Sequence, residues 1–332
     1  MRKSIAVIGQ GFVGGALTTV MCERGLSVYV YDKAGIRALN GKYPSEEAMS
    51  AMGNNVVMHD VPSKSISEFV TQCEIIPGFS GIYFVCVPTP MFEDGECDTS
   101  IVESVLCELV PKPNQLGTTI DRVVVIKSTI PPGSTEKWNK RFGETGLHIV
   151  FNPEFLTEAN ALDDMRNQNR IVLGGPRPWI NRVKQVFETA FPKVPIIKTS
   201  STTSEMVKYV TNVHLAVKVL LANEFYQICT ALDNQGANID YDKVIEYAQH
   251  DERLGNSHWK VPGPMPLDDG SNSPAFGVGG SCFPKDLNGL IALAKQLGVD
   301  PKIMSAAWEK NLEVRPQRDY LNLVGRAVSK KL

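Results

Sequence analysis

The stretch Gly9-Gln10-Gly11-Phe12-Val13-Gly14 decides the fold of the first part of the chain. It has the spacing GxGxxG, it follows a predicted strand at Ser4–Ile8, and it leads into a predicted helix at Phe12–Arg24. Glycines in this pattern permit a tight turn and let a pyrophosphate approach the helix N-terminus, where unpaired N–H groups and the helix dipole favour anions. The cofactor contacts predicted in this turn are those of Gly9, Gly11, Phe12, Val13 and Gly14.

An acidic residue follows the glycine turn at the distance that a dinucleotide site requires. The next predicted strand, Ser27–Tyr31, ends at Asp32, about twenty residues after the turn. A carboxylate there can accept hydrogen bonds from both hydroxyls of an adenosine ribose, and it repels a 2′-phosphate. NAD is therefore favoured over NADP, although Lys33 weakens that preference. The alternative is that the glycines only allow the strand to pack on the helix.

The rest of the first two hundred residues repeats this alternation of apolar runs and helical patterns. That pattern predicts an α/β fold with a Rossmann-type doubly wound parallel sheet. Further strands are predicted at Ile82–Val87, Val123–Lys127, His148–Phe151 and Ile171–Leu173. Residues 1–200 are predicted to form the NAD-binding domain.

From Ser204 onwards the pattern becomes helical. Glycine and proline are absent between Ser204 and Gly236, and apolar residues recur at helical spacing, which predicts one long helix. A loop from Leu254 to Gly280 is rich in Gly, Pro, Ser and Asn, and a loop of this length usually carries function. Further helices are predicted at Tyr241–His250, Asp286–Leu297 and Lys302–Val328. Residues 201–332 are thus predicted to form a long central helix and a small all-helical domain for dimerisation and substrate binding.

Composition excludes several classes of protein. The chain has 332 residues, 21% of them charged, with a net charge of -2, which is unlike the basic surface of a nucleic-acid-binding protein. No stretch approaches the roughly 18 uninterrupted apolar residues of a membrane helix. Seven scattered cysteines without a CxxC pair, and five histidines without an HExxH pattern, predict neither a disulfide framework nor a metal site. We therefore expect a soluble cytoplasmic protein.

Four motifs beyond the glycine turn together resemble the UDP-glucose/GDP-mannose dehydrogenase family. Their order and spacing also fit, and the resemblance extends from Ile5 to about Trp308. The motifs are Val85-Cys86-Val87-Pro88-Thr89-Pro90, Lys127-Ser128-Thr129-Ile130-Pro131-Pro132-Gly133-Ser134-Thr135, Asn152-Pro153-Glu154-Phe155-Leu156-Thr157-Glu158-Ala159 and Gly279-Gly280-Ser281-Cys282-Phe283-Pro284-Lys285-Asp286.

The resemblance implies a set of catalytic residues. Cys282 would be the nucleophile that captures a sugar aldehyde, with its thiolate favoured by a helix N-terminus and a lysine nearby. Lys208 and Asn212, four residues apart on the long helix, would stabilise a developing alkoxide. Asp286, one turn after Cys282, would organise and activate water. The other residues implied in this chemistry are Thr129, Glu154 and Glu158.

Cofactor and substrate contacts also follow from the resemblance. The remaining cofactor contacts implied are those of Val87, Pro88, Thr89, Ser128, Thr129, Glu158 and Lys285. The nucleotide-sugar contacts implied are those of Phe155, Leu156, Lys208, Asn212, Arg253, Lys260, Asn272, Phe276 and Gly277. In the family, the arginine that Arg253 matches reaches a neighbouring subunit, and the long helix packs on its symmetry mate. A homodimer is therefore expected.

The implied reaction is the oxidation of UDP-glucose to UDP-glucuronate with two NAD. A different nucleotide sugar, GDP-mannose or a UDP-N-acetylhexosamine, is an alternative substrate, and a binding protein without turnover is an alternative function. Each motif also has a structural alternative: Cys282 as a small buried hydrophobe, Lys208 with Asn212 as a solvated helix face, and Glu154 with Glu158 as helix N-terminal charges.

The sequence departs from the family in its length. Family members usually continue for about another hundred residues into a domain that covers the UDP, whereas this sequence ends at Leu332. The sequence resembles a short form without that domain. The nucleotide site is then expected to be open, completed by another subunit, or reshaped.

Overall fold

A computed structural model of the protein describes residues 4–34, 58–60, 63–112, 120–157, 160–266 and 272–329. The chain divides into two compact units. Unit 1 comprises Met1–Thr89 and Thr99–Lys208, and unit 2 comprises Pro90–Asp98 and Tyr209–Leu332. Residues 90–98, which the sequence analysis assigned to the first domain, therefore belong to unit 2.

Unit 1 contains an eight-stranded sheet with the order β3-β2-β1-β4-β5-β6-β7-β8. Neighbouring strands are parallel except β6 and β7, which pair antiparallel. The strands are β1 (Ser4–Ile8), β2 (Ser27–Tyr31), β3 (Met58–Asp60), β4 (Phe79–Val85), β5 (Arg122–Ile126), β6 (Leu147–Phe151), β7 (Ile171–Gly174) and β8 (Ile196–Thr199). Because β1 lies between β2 and β4, the strand order reverses beside it, and this is the place where open α/β sheets bind ligands.

Helices cover both faces of this sheet. Successive residues of a strand point to opposite faces, so Ile5 and Val7 enter one core cluster while Ala6 and Ile8 enter the other. All five residues of β1 are buried, as expected for a parallel strand covered on both sides. The helices of unit 1 are α1 (Phe12–Glu23), α2 (Ile66–Glu74), α3 (Ser100–Leu109), α4 (Ser134–Phe142), α5 (Ala161–Arg166), α6 (Arg177–Ala190) and the first turns of α7 (Ser201–Asn234).

Unit 2 is built on the rest of α7. Its largest core cluster joins Tyr209, Val213 and Leu220 of α7 to Leu287 and Ile291. The other helices are α8 (Tyr241–Ala248), α9 (Phe283–Gln296) and α10 (Lys302–Val314), with short 3-10 turns at Glu252–Leu254 and Asp319–Asn322. The helix α7 ends two residues before Gly236, which has a φ of +85° and therefore suits the left-handed position after a helix.

The α/β fold with a Rossmann-type sheet and a long helix is confirmed, with two differences in unit 2. The predicted helix over Lys302–Val328 is wrong beyond Val314, because Pro316 disfavours helical backbone at the residue before it. The predicted loop over Leu254–Gly280 contains two short antiparallel strands, β9 (Gly263–Pro266) and β10 (Asn272–Ala275). The helical domain thus carries a small β-hairpin in addition.

One described helix, α7, is long and apolar enough to cross a membrane by length and composition alone. This is weak evidence, because the core helix of a soluble protein passes the same test. Of its most apolar 18-residue window, 28% is buried in the chain. Most of this window of α7 is therefore not buried by the described residues.

Candidate active site

The glycine turn between β1 and α1 is packed so closely that two of its glycines cannot be replaced. A Cβ at Gly14 would lie 1.8 Å from the carbonyl oxygen of Gly9, and a Cβ at Gly9, whose φ is +87°, would lie 2.8 Å from that of Cys86. Gly11 differs, because a Cβ there would meet no atom within 4 Å. No side chain caps α1, so the open space above Gly11 and the N–H groups of Phe12 and Val13 suit the phosphates of a dinucleotide.

Asp32 is held against this turn. Its Oδ2 accepts a hydrogen bond from the Gln10 N–H at 2.6 Å, and its Oδ1 accepts one from the Ala34 N–H at 2.8 Å. The Gly9 N–H also donates to the Tyr31 carbonyl at 2.8 Å. The carboxylate is therefore fixed beside the turn, as a ribose-binding acid requires.

A cavity of about 620 Å³ in unit 1 brings five of the predicted cofactor residues together. They are Gly9, Asp32, Lys33, Val87 and Pro88. Sequence reasoning missed the wall that α2 and α3 contribute, which consists of Lys64, Ser65, Ile66, Ser100, Ile101, Ser104, Val105 and Glu108. These residues lie at the start of α2 and along α3, two helices that follow strands of the sheet. Knowledge of the strand order would have indicated them, because the ligand crevice lies where that order reverses.

Ser128 fixes the turn after β4. Its hydroxyl donates to the Val87 carbonyl at 2.6 Å. Thr89, Ser128 and Thr129 are all buried. These motif residues therefore line the carboxyl ends of β4 and β5 as a rigid set rather than as solvated loops.

Lys208, in the third turn of α7, forms a buried ion pair with Glu154. Its Nζ lies 2.6 Å from Glu154 Oε1 and donates to the Glu154 carbonyl at 2.8 Å. The other carboxylate oxygen of Glu154 accepts from the Leu156 N–H at 2.7 Å. Burial alone would raise the pKa of Glu154, but the charge and hydrogen bond of Lys208 hold it below its usual value. Glu158, whose carboxylate is predicted to lie beside that of Glu154, is outside the described residues.

A second buried ammonium, that of Lys127, supports the same turn. It donates to the Asn152 side-chain oxygen at 2.8 Å, and the Asn152 amide donates to the Val172 carbonyl at 2.8 Å. Burial lowers the pKa of Lys127 to about 8. An ammonium whose hydrogen-bond acceptors are neutral is held at a cost in stability. Lys127 thus anchors the Asn-Pro-Glu turn to β5 and β7.

Glu205, also on α7, was not predicted as a site residue. Its buried carboxylate accepts from the N–H groups of Gly133 at 2.5 Å and Thr135 at 2.8 Å, and so caps α4. Burial raises the pKa of Glu205. The contact ties the second turn of α7, and with it Lys208, to the segment that follows Thr129. Its only signal in the sequence is an acid one turn before Lys208.

In unit 2, the Asp286 carboxylate contacts two of the predicted residues, Asn212 and Lys285. It is 1% exposed, its Oδ2 accepts from the Asn212 side-chain amide at 2.6 Å, and its Oδ1 pairs with the ammonium of Lys285. Burial would lower the pKa of Lys285, but the carboxylate of Asp286 and the nearby Cys282 raise it. Cys282 is half-buried at the N-terminus of α9, and its Sγ lies 3.8 Å from the Ser281 hydroxyl. A thiolate there would have a lysine and a helix terminus beside it.

The predicted nucleotide-sugar residues fall in several places. In unit 1, Phe155 and Leu156 follow Glu154, and the guanidinium of Arg170 lies 4.1 Å from the Phe155 ring centroid. In unit 2, Phe276 and Gly277 precede Cys282. Arg253 and Lys260 are exposed, and Asn272 begins β10. The side chain of Arg253 is 89% exposed and pairs with Asp251 of its own turn, so among the described residues it reaches no other element.

Gly11→Ala tests the glycine turn as a cofactor site. We expect an unchanged thermal unfolding midpoint, because the new methyl group meets no protein atom. We expect NAD binding to weaken by at least about tenfold, because the methyl group would occupy the space that the pyrophosphate needs. The control is Gly15→Ala, whose Cβ would lie 3.6 Å from the Gln10 carbonyl and away from that space. Equal NAD affinities in the wild type and Gly11→Ala, measured by calorimetry, would remove the turn from the cofactor site.

Comparison with known proteins gives a consistent result. Residues 3–191 match the model of the UDP-glucose/GDP-mannose dehydrogenase family's NAD binding domain, and residues 202–313 match that of its central domain. UDP-glucose 6-dehydrogenase TuaD of Bacillus subtilis (strain 168) is 32% identical, with 94% of this chain and 64% of that protein aligned. UDP-glucose 6-dehydrogenase AglM of Haloferax volcanii is 29% identical, with 95% and 70% aligned.

Solved structures show the same similarity. A UDP-glucose dehydrogenase from the hyperthermophilic archaeon Pyrobaculum islandicum superposes with a TM-score of 0.76 at 27% identity, covering 97% of this chain and 71% of that one. The chain thus spans about two thirds of the length of the relatives it matches. It belongs to the UDP-glucose/GDP-mannose dehydrogenase family, and its residues 3–191 are that family's NAD binding domain.

Proposed function

We propose that the protein oxidises the C6 alcohol of UDP-glucose to a carboxylate through a covalent intermediate on Cys282. The observation that carries this proposal is the buried contact set around Asp286, which joins Asn212 and Lys285 within one helical turn of a half-buried cysteine. Relatives that are 32% and 29% identical bear the name UDP-glucose 6-dehydrogenase, which supports the choice of sugar.

Cysteine suits an oxidation that passes from alcohol to acid in two stages. Bound NAD supplies the chemistry of hydride acceptance, once at each stage. The Cys282 thiolate adds to the aldehyde carbon and forms a thiohemiacetal, and loss of the second hydride leaves a thioester. Water then adds to the thioester carbonyl and the carbon–sulfur bond breaks, which releases the carboxylate and restores the thiol.

The polar residues have distinct tasks in this proposal. Lys208, paired with Glu154, and the Asn212 amide stabilise negative charge on the substrate oxygen. Asp286 orients Asn212 and Lys285 through its two oxygens. Asp286, Thr129 and Glu158 organise the water that cleaves the thioester. The cofactor is held by the glycine turn and by Asp32 and Lys33. The other residues that hold it in this proposal are Val87, Pro88, Thr89, Ser128, Thr129, Glu158 and Lys285.

Nucleotide recognition is assigned to two groups of residues. In unit 1, we assign the Phe155 and Leu156 backbone groups to the sugar nucleotide. In unit 2, the residues assigned are Arg253, Lys260, Asn272, Phe276 and Gly277. Of the alternative substrates, the sequence Phe283-Pro284-Lys285-Asp286 is closer to the glucose and mannose members of the family than to the acetylated ones. Retention of Lys208, Asn212, Cys282 and Asp286 together favours an enzyme over a binding protein without turnover.

Cys282→Ala tests the covalent step. We expect no detectable carboxylate product and nearly unchanged NAD affinity, because only the covalent step needs the thiol. The matched control is Cys107→Ala, which removes an exposed thiol from α3 and should keep full activity. Product formation is followed by mass spectrometry of the sugar nucleotide. Wild-type production of the uronate by Cys282→Ala would refute the mechanism.

We further propose that the chain acts as a cytoplasmic homodimer built on α7. Four large apolar side chains recur at spacings of four, three and four residues along its second half and are 39–56% exposed. They are Leu221, Phe225, Ile228 and Leu232. Such a stripe is typical of a helix that packs against a partner. The highly exposed Arg253 would then be available to contact the substrate of the neighbouring subunit.

Ile228→Lys tests the dimer. A charge at the centre of the stripe cannot be buried without a partner, so we expect the mass measured by sedimentation to fall from twice 36.5 kDa to 36.5 kDa. The matched control is Ile303→Lys on α10, where the side chain is 77% exposed and lies off the stripe. A wild-type protein that is monomeric at working concentration would contradict this proposal, as would an Ile228→Lys variant that remains dimeric.

A further inference from the structure

The loop that leads into Cys282 is held by side chains rather than by a strand ladder. Four backbone groups of residues 276–280 are each bound by a polar side chain from α7, from α10 or from the turn after α10. The donor–acceptor pairs and their distances are Arg315 Nη1 to the Phe276 carbonyl at 2.9 Å, the Gly277 N–H to Asn223 Oδ1 at 3.1 Å, the Val278 N–H to Asn311 Oδ1 at 2.8 Å and the Gly280 N–H to Asp319 Oδ2 at 3.2 Å.

The loop backbone also lies directly against two of these side chains. A Cβ at Gly279 would come within 2.2 to 2.5 Å of the Arg315 guanidinium. A Cβ at Gly277, whose φ is +66°, would lie 2.4 Å from Asn311 Oδ1. Glycine is therefore required at both positions so that the backbone can approach α10. These close contacts fix the path of the loop over α10.

Of the side chains that define this path, Arg315 and Asn311 are buried and Asp319 is half-buried, and burial of charged or polar groups is costly. Arg315 is 3% exposed and forms an ion pair with Asp319 at 2.5 Å. A buried pair of this kind is often no more stabilising than apolar residues of the same volume. Asn311 is 1% exposed, and its side-chain amide nitrogen has no hydrogen-bond partner in the part of the chain that the structure describes. Apolar residues at these positions could not bind the backbone groups of the loop, so the polar side chains set the path of the loop.

Asp319 is well suited to that task. Burial alone would raise its pKa, but the hydrogen bond and charge of Arg315 and the N–H of Gly280 hold it below its usual value. The carboxylate therefore remains ionised at neutral pH and keeps hold of the loop two residues before Cys282. The hydrogen bond from the Gly280 N–H to the ionised carboxylate is lost only when the pH falls far enough into the acid range to protonate Asp319.

We infer that Arg315, Asp319 and Asn311 are positioning residues that place the Cys282 sulfur at the N-terminus of α9. This inference rests on the proposed function, in which Cys282 is the nucleophile. The backbone enters α9 at Cys282 directly after the bound segment, so a shift of the loop moves Sγ relative to Lys285 and the helix terminus. A displacement of about 1 Å at a reacting atom can lower the rate by about 100-fold.

The test is the pH profile of Cys282 alkylation by iodoacetamide, followed by mass spectrometry of the Cys282 peptide. The midpoint of this profile reports thiolate formation, whereas access to the sulfur changes only the maximum rate. For Arg315→Met, which keeps the volume but removes the fork of donors, we expect the midpoint to rise by about half a pH unit or more. We expect kcat to fall about 100-fold while KM for NAD stays within about twofold.

Two controls separate positioning from a loss of stability. Glu74→Gln breaks the Arg122–Glu74 pair of unit 1, also largely buried, and should lower the unfolding midpoint without moving the alkylation profile. Glu313→Gln breaks the Lys310–Glu313 pair on α10, whose carboxylate is exposed, and should change neither quantity. Relative to Arg315→Met, Arg315→Lys should restore more of the unfolding midpoint than of kcat, because an ammonium keeps the charge but lacks the guanidinium fork.

The possible outcomes decide the inference. An Arg315→Met profile that coincides with those of the wild type and Glu74→Gln overturns it. If Arg315→Met does not fold, Asp319→Asn decides instead: it keeps the shape of the side chain, and an upward shift of its profile supports the inference whereas an unchanged profile overturns it. Alkylation needs no turnover, so these results stand apart from the product assay of Cys282→Ala, which alone tests whether Cys282 is the nucleophile.

Discussion

A charge can be buried in a protein only if partners replace the water that it loses, and this constraint shapes both units. In unit 1, Lys208 is satisfied by the side chain and the carbonyl of Glu154, and this fixes both residues. In unit 2, Asp286 receives the Asn212 amide and the Lys285 ammonium. Each half of the proposed chemistry is thus built around one buried ion pair, whose geometry leaves its members little freedom.

The same constraint explains why so many polar residues without a chemical task surround these pairs. Lys127 holds Asn152, which precedes Glu154 by two residues, and Glu205 caps α4 from the second turn of α7. Arg315 and Asp319 hold the approach to Cys282 in the same way. Catalytic groups must be held close to their productive positions by a supporting shell, and these residues supply it.

The sequence predicted most of unit 1 because its signals are local. The bounds of β1 and β2 match the prediction, since an apolar run, a GxGxxG turn and an acid lie within thirty residues of one another. Unit 2 was harder to predict. The hairpin of β9 and β10 has prolines in both strands, and proline is typical of loops, so the sequence pattern indicated a loop there. The helix predicted beyond Val314 was wrong because Pro316 disfavours helical backbone at the residue before it.

The candidate site divides in a similar way. Asp32 could be proposed from its spacing to the glycine turn, and Cys282 with Asp286 from the resemblance of their motif to the family. Contacts between distant segments could not: Glu205 meets Gly133, and Asp319 meets Gly280, across 72 and 39 residues of sequence. The cavity wall of Ser100 and Lys64 depends on the strand order, which no single motif encodes.

The central claim is that one sugar is oxidised twice, the second time while it is bound to Cys282. It is tested most directly by counting NADH formed per UDP-glucose consumed, with GDP-mannose and UDP-N-acetylhexosamines assayed alongside. The account predicts two NADH and one uronate for each UDP-glucose, with no free aldehyde, and much lower turnover of the other sugars. One NADH per sugar with release of an aldehyde, or no turnover of any nucleotide sugar by the folded NAD-binding protein, would contradict it.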